Sequence, residues 1–169
     1  MSGAVAPLKD SETFRSMLTM FTNPAAGILV GILFTAVLQS ASASVGILQA
    51  LSVTGGISFA VALPIVMGIG VGAACPVLMS AIGTNKNGKR TALIYLLNDL
   101  FGMLFWSIVF YTLNAIFHFK FMNVAMTPVY IALMNTVFRA ATICILSPFI
   151  KYIEKLVYIL IKDDEEDPD

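Results

Sequence analysis

Of the 169 residues, 58% are hydrophobic and 12% charged, with a mean hydropathy of +0.87, a balance that excludes an ordinary soluble domain. The ten basic and ten acidic residues cancel, so nothing in the charge points to a nucleic-acid partner. Between Arg15 and Lys86 there is no Asp, Glu, Lys, Arg or His; because about 20 apolar residues cross a bilayer, that stretch has room for several passes.

In chain order, Pro7 to Thr22 places Leu8, Phe14, Met17, Leu18 and Phe21 among polar residues, the pattern of a helix lying in the membrane interface. No basic region with a short apolar core and cleavage site precedes it, so no signal peptide is expected. Pro24 to Val53 is apolar but interrupted by Gln39, Ser40, Ser42 and Ser44, and stops at Thr54-Gly55-Gly56. Two half-length helices around a polar tip, a re-entrant hairpin, fit this pattern. Ile57 to Ile82 carries Gly68, Gly70, Gly72 and Pro76 near its middle and predicts a broken helix, followed by a polar loop over Gly83 to Arg90. Thr91 to Phe117 and Pro128 to Ile161 are long enough to span fully. The tail, residues 163–169, gathers Asp163, Asp164, Glu165, Glu166, Asp167 and Asp169 and is expected to be disordered. The expectation is an all-α integral membrane protein: an N-terminal segment, 1–23, one membrane domain, 24–162, and the acidic tail.

Counting bases gives the orientation. With the hairpin returning to its own face, Lys86, Lys89, Arg90, Lys151, Lys155 and Lys162 share one side, against Lys9, Arg15 and Lys120 on the other. The positive-inside rule then places the C-terminus in the cytoplasm of a multi-pass cell-membrane protein. Cys75 and Cys144 lie in apolar segments without metal-ligand spacing and read as small buried side chains. His118 sits with Lys120 in a polar turn and reads as an interface residue; Trp106 and the tyrosines read as packing or belt residues. No nucleophile with a positioned base is present, which argues against an enzyme.

The chemistry is expected at the two helix breaks, because non-helical backbone at membrane depth survives only where protein buries it or a wet cavity receives it. Gln39, Ser40, Ser42 and Ser44 offer amide and hydroxyl groups beside a half-helix N-terminus, a seat for phosphate. An unwound stretch at Gly68, Gly70 and Gly72 would present carbonyl oxygens to a sodium ion, with Gln39 and Ser40 alongside. The competing reading is that the serines and the Gly68-x-x-x-Gly72 spacing only let helices pack closely.

These segments resemble the type II sodium/phosphate cotransporters over about Met1 to Lys162. Gln39 to Ser44, with Thr35-Ala36-Val37-Leu38 before it, is similar to that family's Gln-Ser-Ser-Ser hairpin tip. Ala50 to Gly56, Pro64 to Gly68 and Ile82 to Asn87 resemble the second repeat of bacterial members. The resemblance implies sodium-coupled phosphate symport, sodium as coupling ion and no other cofactor, and two inverted repeats of which this chain has one. A first-half repeat or a homo-oligomer would then be its partner. In bacterial members a PhoU-like cytoplasmic domain follows the last helix. The departures are Ala41 for the middle serine, Gly70 and Ala73 where the family has Asn and Thr, and Asp99 and Arg139 at the ends of two His-x-x-Phe-Asn-like stretches, Tyr95 to Asp99 and Asn135 to Arg139. Two charges inside membrane helices relieve each other when they meet, so Asp99 and Arg139 are expected to form an ion pair; the alternative sets Arg139 against phosphate and Asp99 against sodium or a proton. Other readings of function are a degenerate structural or regulatory subunit and a carrier of another oxyanion.

Overall fold

The computed structural model describes Ser16 and residues 20–162. Seven α-helices follow one another there: α1 Pro24–Leu38, α2 Ala41–Ser52, α3 Phe59–Gly72, α4 Ala74–Ala81, α5 Lys86–Phe117, α6 Pro128–Leu146 and α7 Ile150–Leu160. The expected interfacial helix lies largely, and the acidic tail wholly, outside the described residues.

Each boundary has a local cause. Asn23, Ser40, Asn85 and Thr127 cap α1, α2, α5 and α6, their side-chain oxygens accepting a backbone N–H of the first turn. Pro24 and Pro128 open α1 and α6, where their missing N–H has no helical partner to lose. Gln39 and His118 end α1 and α5 in the left-handed conformation, at φ 52° and 47°, each returning its N–H to a carbonyl four residues back. Asn85 starts α5 earlier than its charges suggest, so Lys86 to Arg90 are helical and the expected polar loop is confined to a few residues.

α3 is apolar on all sides and sits at the centre, with 11 of its 14 residues buried. α1 runs parallel to it through small residues. A methyl group placed on Gly27 would lie 2.7 Å from Pro64 Cγ, one on Gly31 would strike the Ile65 carbonyl, and one on Gly72 would lie 2.7 Å from the Ile32 carbonyl. Gly27-x-x-x-Gly31 and Gly68-x-x-x-Gly72 therefore face each other, the close-approach device of membrane helices.

At one end of the bundle an isolated bridge joins Ser58 to Ala125, with Phe59 N–H donating to Val124 O and Met126 N–H to Ile57 O. Phe59, Phe110, Phe119 and Phe121 interlock beside it. At the other end, Arg90 donates through Nε and Nη2 to the Ile161 carbonyl, with its guanidinium 4.1 Å from the Tyr158 ring centre. α5 thus lies antiparallel to α6 and α7, Gly102 against Thr142 at one level and Arg90 against Ile161 at another.

Among the described residues, three stretches are long and apolar enough to cross a membrane: Phe59–Ala81, Lys86–Phe117 and Pro128–Leu160. The last is interrupted at Ser147–Phe149 by a 3-10 turn holding Pro148, after which α7 buries only Ile153 and Val157. α1 and α2, of 15 and 12 residues, measure only about 22 and 18 Å, short of a bilayer core of about 30 Å. Two cysteine expectations part here: Cys75 is half-buried, but Cys144 is exposed on the outer side of α6. In a membrane helix an apolar neighbourhood does not signal the protein interior, since lipid-facing positions are apolar too.

Candidate functional site

The α1–α2 hairpin fixes where the polar tip lies. Because Gly27, Gly31 and Gly72 tie α1 to α3 in parallel, the tip reaches the level of α4, where Gln39 Nε2 donates to Met79 Sδ at 3.4 Å. α2 then runs back, and Gln49 Nε2 donates to the Pro128 carbonyl at 2.9 Å, at the end from which α1 began. The tip therefore lies beside α4, past Ala73, and the outer ends of α1 and α2 both point towards the Pro128 end.

The tip residues divide by orientation. Ser40 Oγ accepts the Ala43 N–H at 3.3 Å and lies 3.2 Å from Ser42 Oγ, so two hydroxyls and the α2 N-terminus converge. Ser44 is fully buried; its hydroxyl donates to Ser40 O and accepts from Thr35 Oγ1, both at 3.0 Å. It fastens α2 to α1 and faces an apolar crevice rather than Ser42's cavity.

The glycine stretch does not unwind. Gly68, Gly70 and Gly72 are helical, and the only interruption is Ala73, itself in the α conformation with its N–H shared between Ile69 O at 3.1 Å and Gly70 O at 3.2 Å. The Gly70 carbonyl is thus engaged within the helix, whereas the Gly72 carbonyl has Pro76, which carries no N–H, at the position of its helical donor. A side chain at Gly68 would collide with the Ile28 carbonyl and one at Gly72 with α1, whereas Gly70 faces open space and lines a cavity. Glycine spacing carries both signals, and here the packing signal prevails at two of the three positions.

Asp99 and Arg139 do not form the expected ion pair. Asp99 Oδ2 is buried without a hydrogen-bond partner, Asn98 Nδ2 is 3.5 Å from Oδ1, and Arg139 Nε donates to Asn135 Oδ1 at 3.4 Å. Both nevertheless line one cavity of about 180 Å³, with Gly70, Tyr95 and Trp106. A helical neighbour four residues back gives the guanidinium a partner on its own helix, which spares it the reach across to α5.

Arg139, Tyr95 and Asn135 also line a second, open cavity of about 580 Å³ together with Ser42, Gln49 and Ala73. Arg139 thus borders both the space shared with Ser42 and the space shared with Asp99. Gln49 is the lining residue that sequence reasoning passed over. Its signal was its place seven residues after Ser42, two helical turns along the same face. Among the described residues no cluster of three or more His, Cys, Asp or Glu exists to hold a multivalent metal.

Neither the curated proteins nor the solved structures give a match to the chain. The sequence model of the Na+/Pi-cotransporter family matches residues 1–141, most of the polypeptide. The chain, with its polar tip and membrane-length helices, belongs to the Na+/Pi-cotransporter family.

Proposed function

We propose that this chain supplies one repeat of a sodium-coupled inorganic phosphate transporter, with phosphate held between the α2 N-terminus and Arg139. The observation that carries the reading is the shared cavity: Ser42 on the hairpin and Arg139 on α6 face the same space, next to Asn135 and Gln49. A guanidinium gives an oxyanion charge and paired donors, and the helix end adds N–H groups of favourable dipole. Ser40 completes the seat through its contact with Ser42. Phosphate is favoured over a carboxylate substrate by the family to which the chain belongs.

The membrane topology follows the distribution of bases. Lys86, Lys89, Arg90 and Lys162 lie at the Arg90–Ile161 end, with Lys151 and Lys155 along α7 leading to it, the side that the positive-inside rule assigns to the cytoplasm. The hairpin then enters and leaves from the outer face of the cell membrane. A second, inverted repeat would close the open side of the cavity, since such transporters form their substrate site where two repeats meet. A second reading, a structural or regulatory subunit without transport, draws support from the helical state of Gly68 to Gly72, which keeps the Gly70 carbonyl in a helical hydrogen bond.

Uptake of labelled phosphate into proteoliposomes under a sodium gradient tests the proposal, with the chain alone and with an inverted-repeat partner. Sodium-dependent uptake that Arg139→Gln reduces roughly tenfold to a hundredfold, the worth of a charge-assisted hydrogen bond, is the expected result. Folded protein with no uptake in either preparation would favour the non-transporting subunit.

A further inference from the structure

We infer that Asp99 and Arg139 act as a coupling element, in which a sodium ion at Asp99 and phosphate at Arg139 each raise the other's affinity; this rests on the phosphate reading above. The two opposite charges occupy one cavity without touching. Asp99 Oδ2 has no donor, and Asn98 Nδ2 stands at the 3.5 Å limit of a hydrogen bond from Oδ1. α3, the third wall, contributes Val66, Met67 and Gly70 and no charge. With the cavity empty, the carboxylate and guanidinium offset each other across it.

Ligands change that balance one charge at a time. Phosphate on Arg139 takes up the guanidinium's charge and leaves Asp99 alone in a poorly polarisable surrounding, where an uncompensated carboxylate is costly. A sodium ion beside Oδ2 removes that cost. Sodium without phosphate leaves Arg139 uncompensated instead, so each ligand binds best with the other, and by equal factors. The side of α3 that faces the cavity at Gly70 is open, which leaves space for an ion beside the carboxylate. The helical Gly68–Gly72 stretch is then not required as the cation seat.

Trp106 is the sole tryptophan and lines the same cavity, its Nε1 donating to Thr142 Oγ1 at 2.9 Å. Its emission therefore reports binding in the full chain in lipid nanodiscs, independently of transport. Phosphate titrated in sodium chloride should show a midpoint about tenfold lower than in choline chloride, within the usual range of coupling between sites. In Asp99→Asn the phosphate midpoint should be the same in both salts, and Asp99→Ser should repeat that result. Equal midpoints in the unaltered chain, or a sodium effect that survives in either variant, would overturn the coupling element while leaving phosphate binding intact. No phosphate response in any salt would overturn the phosphate reading and the coupling with it.

Discussion

Ser42 and Ser44, two residues apart in one motif, have opposite tasks. Ser42 faces Arg139 across the open cavity, while Ser44 is sealed between α1 and α2 with its hydroxyl bonded on both sides. Substitution by alanine should separate them. Ser42→Ala removes one neutral hydrogen-bond partner and should weaken phosphate binding about two- to tenfold with unchanged thermal stability. Ser44→Ala should lower the unfolding free energy by about 0.5–1.5 kcal/mol, the range of hydrogen bonds between membrane helices, and change affinity less. Phosphate titration and thermal unfolding of both variants in detergent check this. The motif was legible in the sequence, but its division was not: spacing names a polar tip, and only the direction of each turn of α2 decides which hydroxyl meets the cavity. Asp99 and Arg139 show the same limit, because their opposite signs suggested contact and Asn135, one helical turn from Arg139, intercepts it.

Elements were easier to read than their joints. Asn23, Ser40, Asn85 and Thr127 are ordinary caps, and the turn at Thr54 to Gly56, with Gly55 at φ 75°, ends the hairpin where composition places it. The expected unwinding at Gly68 to Gly72 failed because the same glycines serve the α1–α3 contact, which rewards a regular helix whose backbone can be approached closely. The consequence is measurable. Gly31→Ala brings a methyl group against the Ile65 carbonyl, backbone that has no room to give, and should destabilise the fold by about 1–3 kcal/mol. Gly70→Ala meets nothing within 4 Å and should leave the melting temperature unchanged or raised. Equal destabilisation by the two would show that the α1–α3 contact is not set by these glycines. The 3-10 turn at Ser147–Phe149 was also hidden inside the long Pro128 to Ile161 stretch, where Pro148 marked it.

At the scale of the whole molecule, lipid replaces the interior as the place for large apolar side chains. Leu29, Leu33 and Val37 project from α1 at 56%, 56% and 81% exposure, one helical turn apart. Such a stripe is suited to acyl chains or to the apolar face of another protein, and hydrophobic pattern alone does not separate those outcomes. Charge is more informative, because lysine and arginine are retained on the cytoplasmic side during insertion. Four bases mark the Arg90–Ile161 end and two more lie along α7 leading to it, whereas the opposite described end, around the Ser58–Ala125 bridge, has Lys120. Cysteine introduced singly at His118 or Lys162, with Cys75 and Cys144 replaced by serine, reads the orientation through a membrane-impermeant maleimide applied to intact cells. His118→Cys should be labelled at once and Lys162→Cys only after permeabilisation. The reverse pattern would place the hairpin tip's entrance on the cytoplasmic face, and equal labelling of both would mean that the chain inserts in two orientations, so that a second copy could itself provide the inverted repeat.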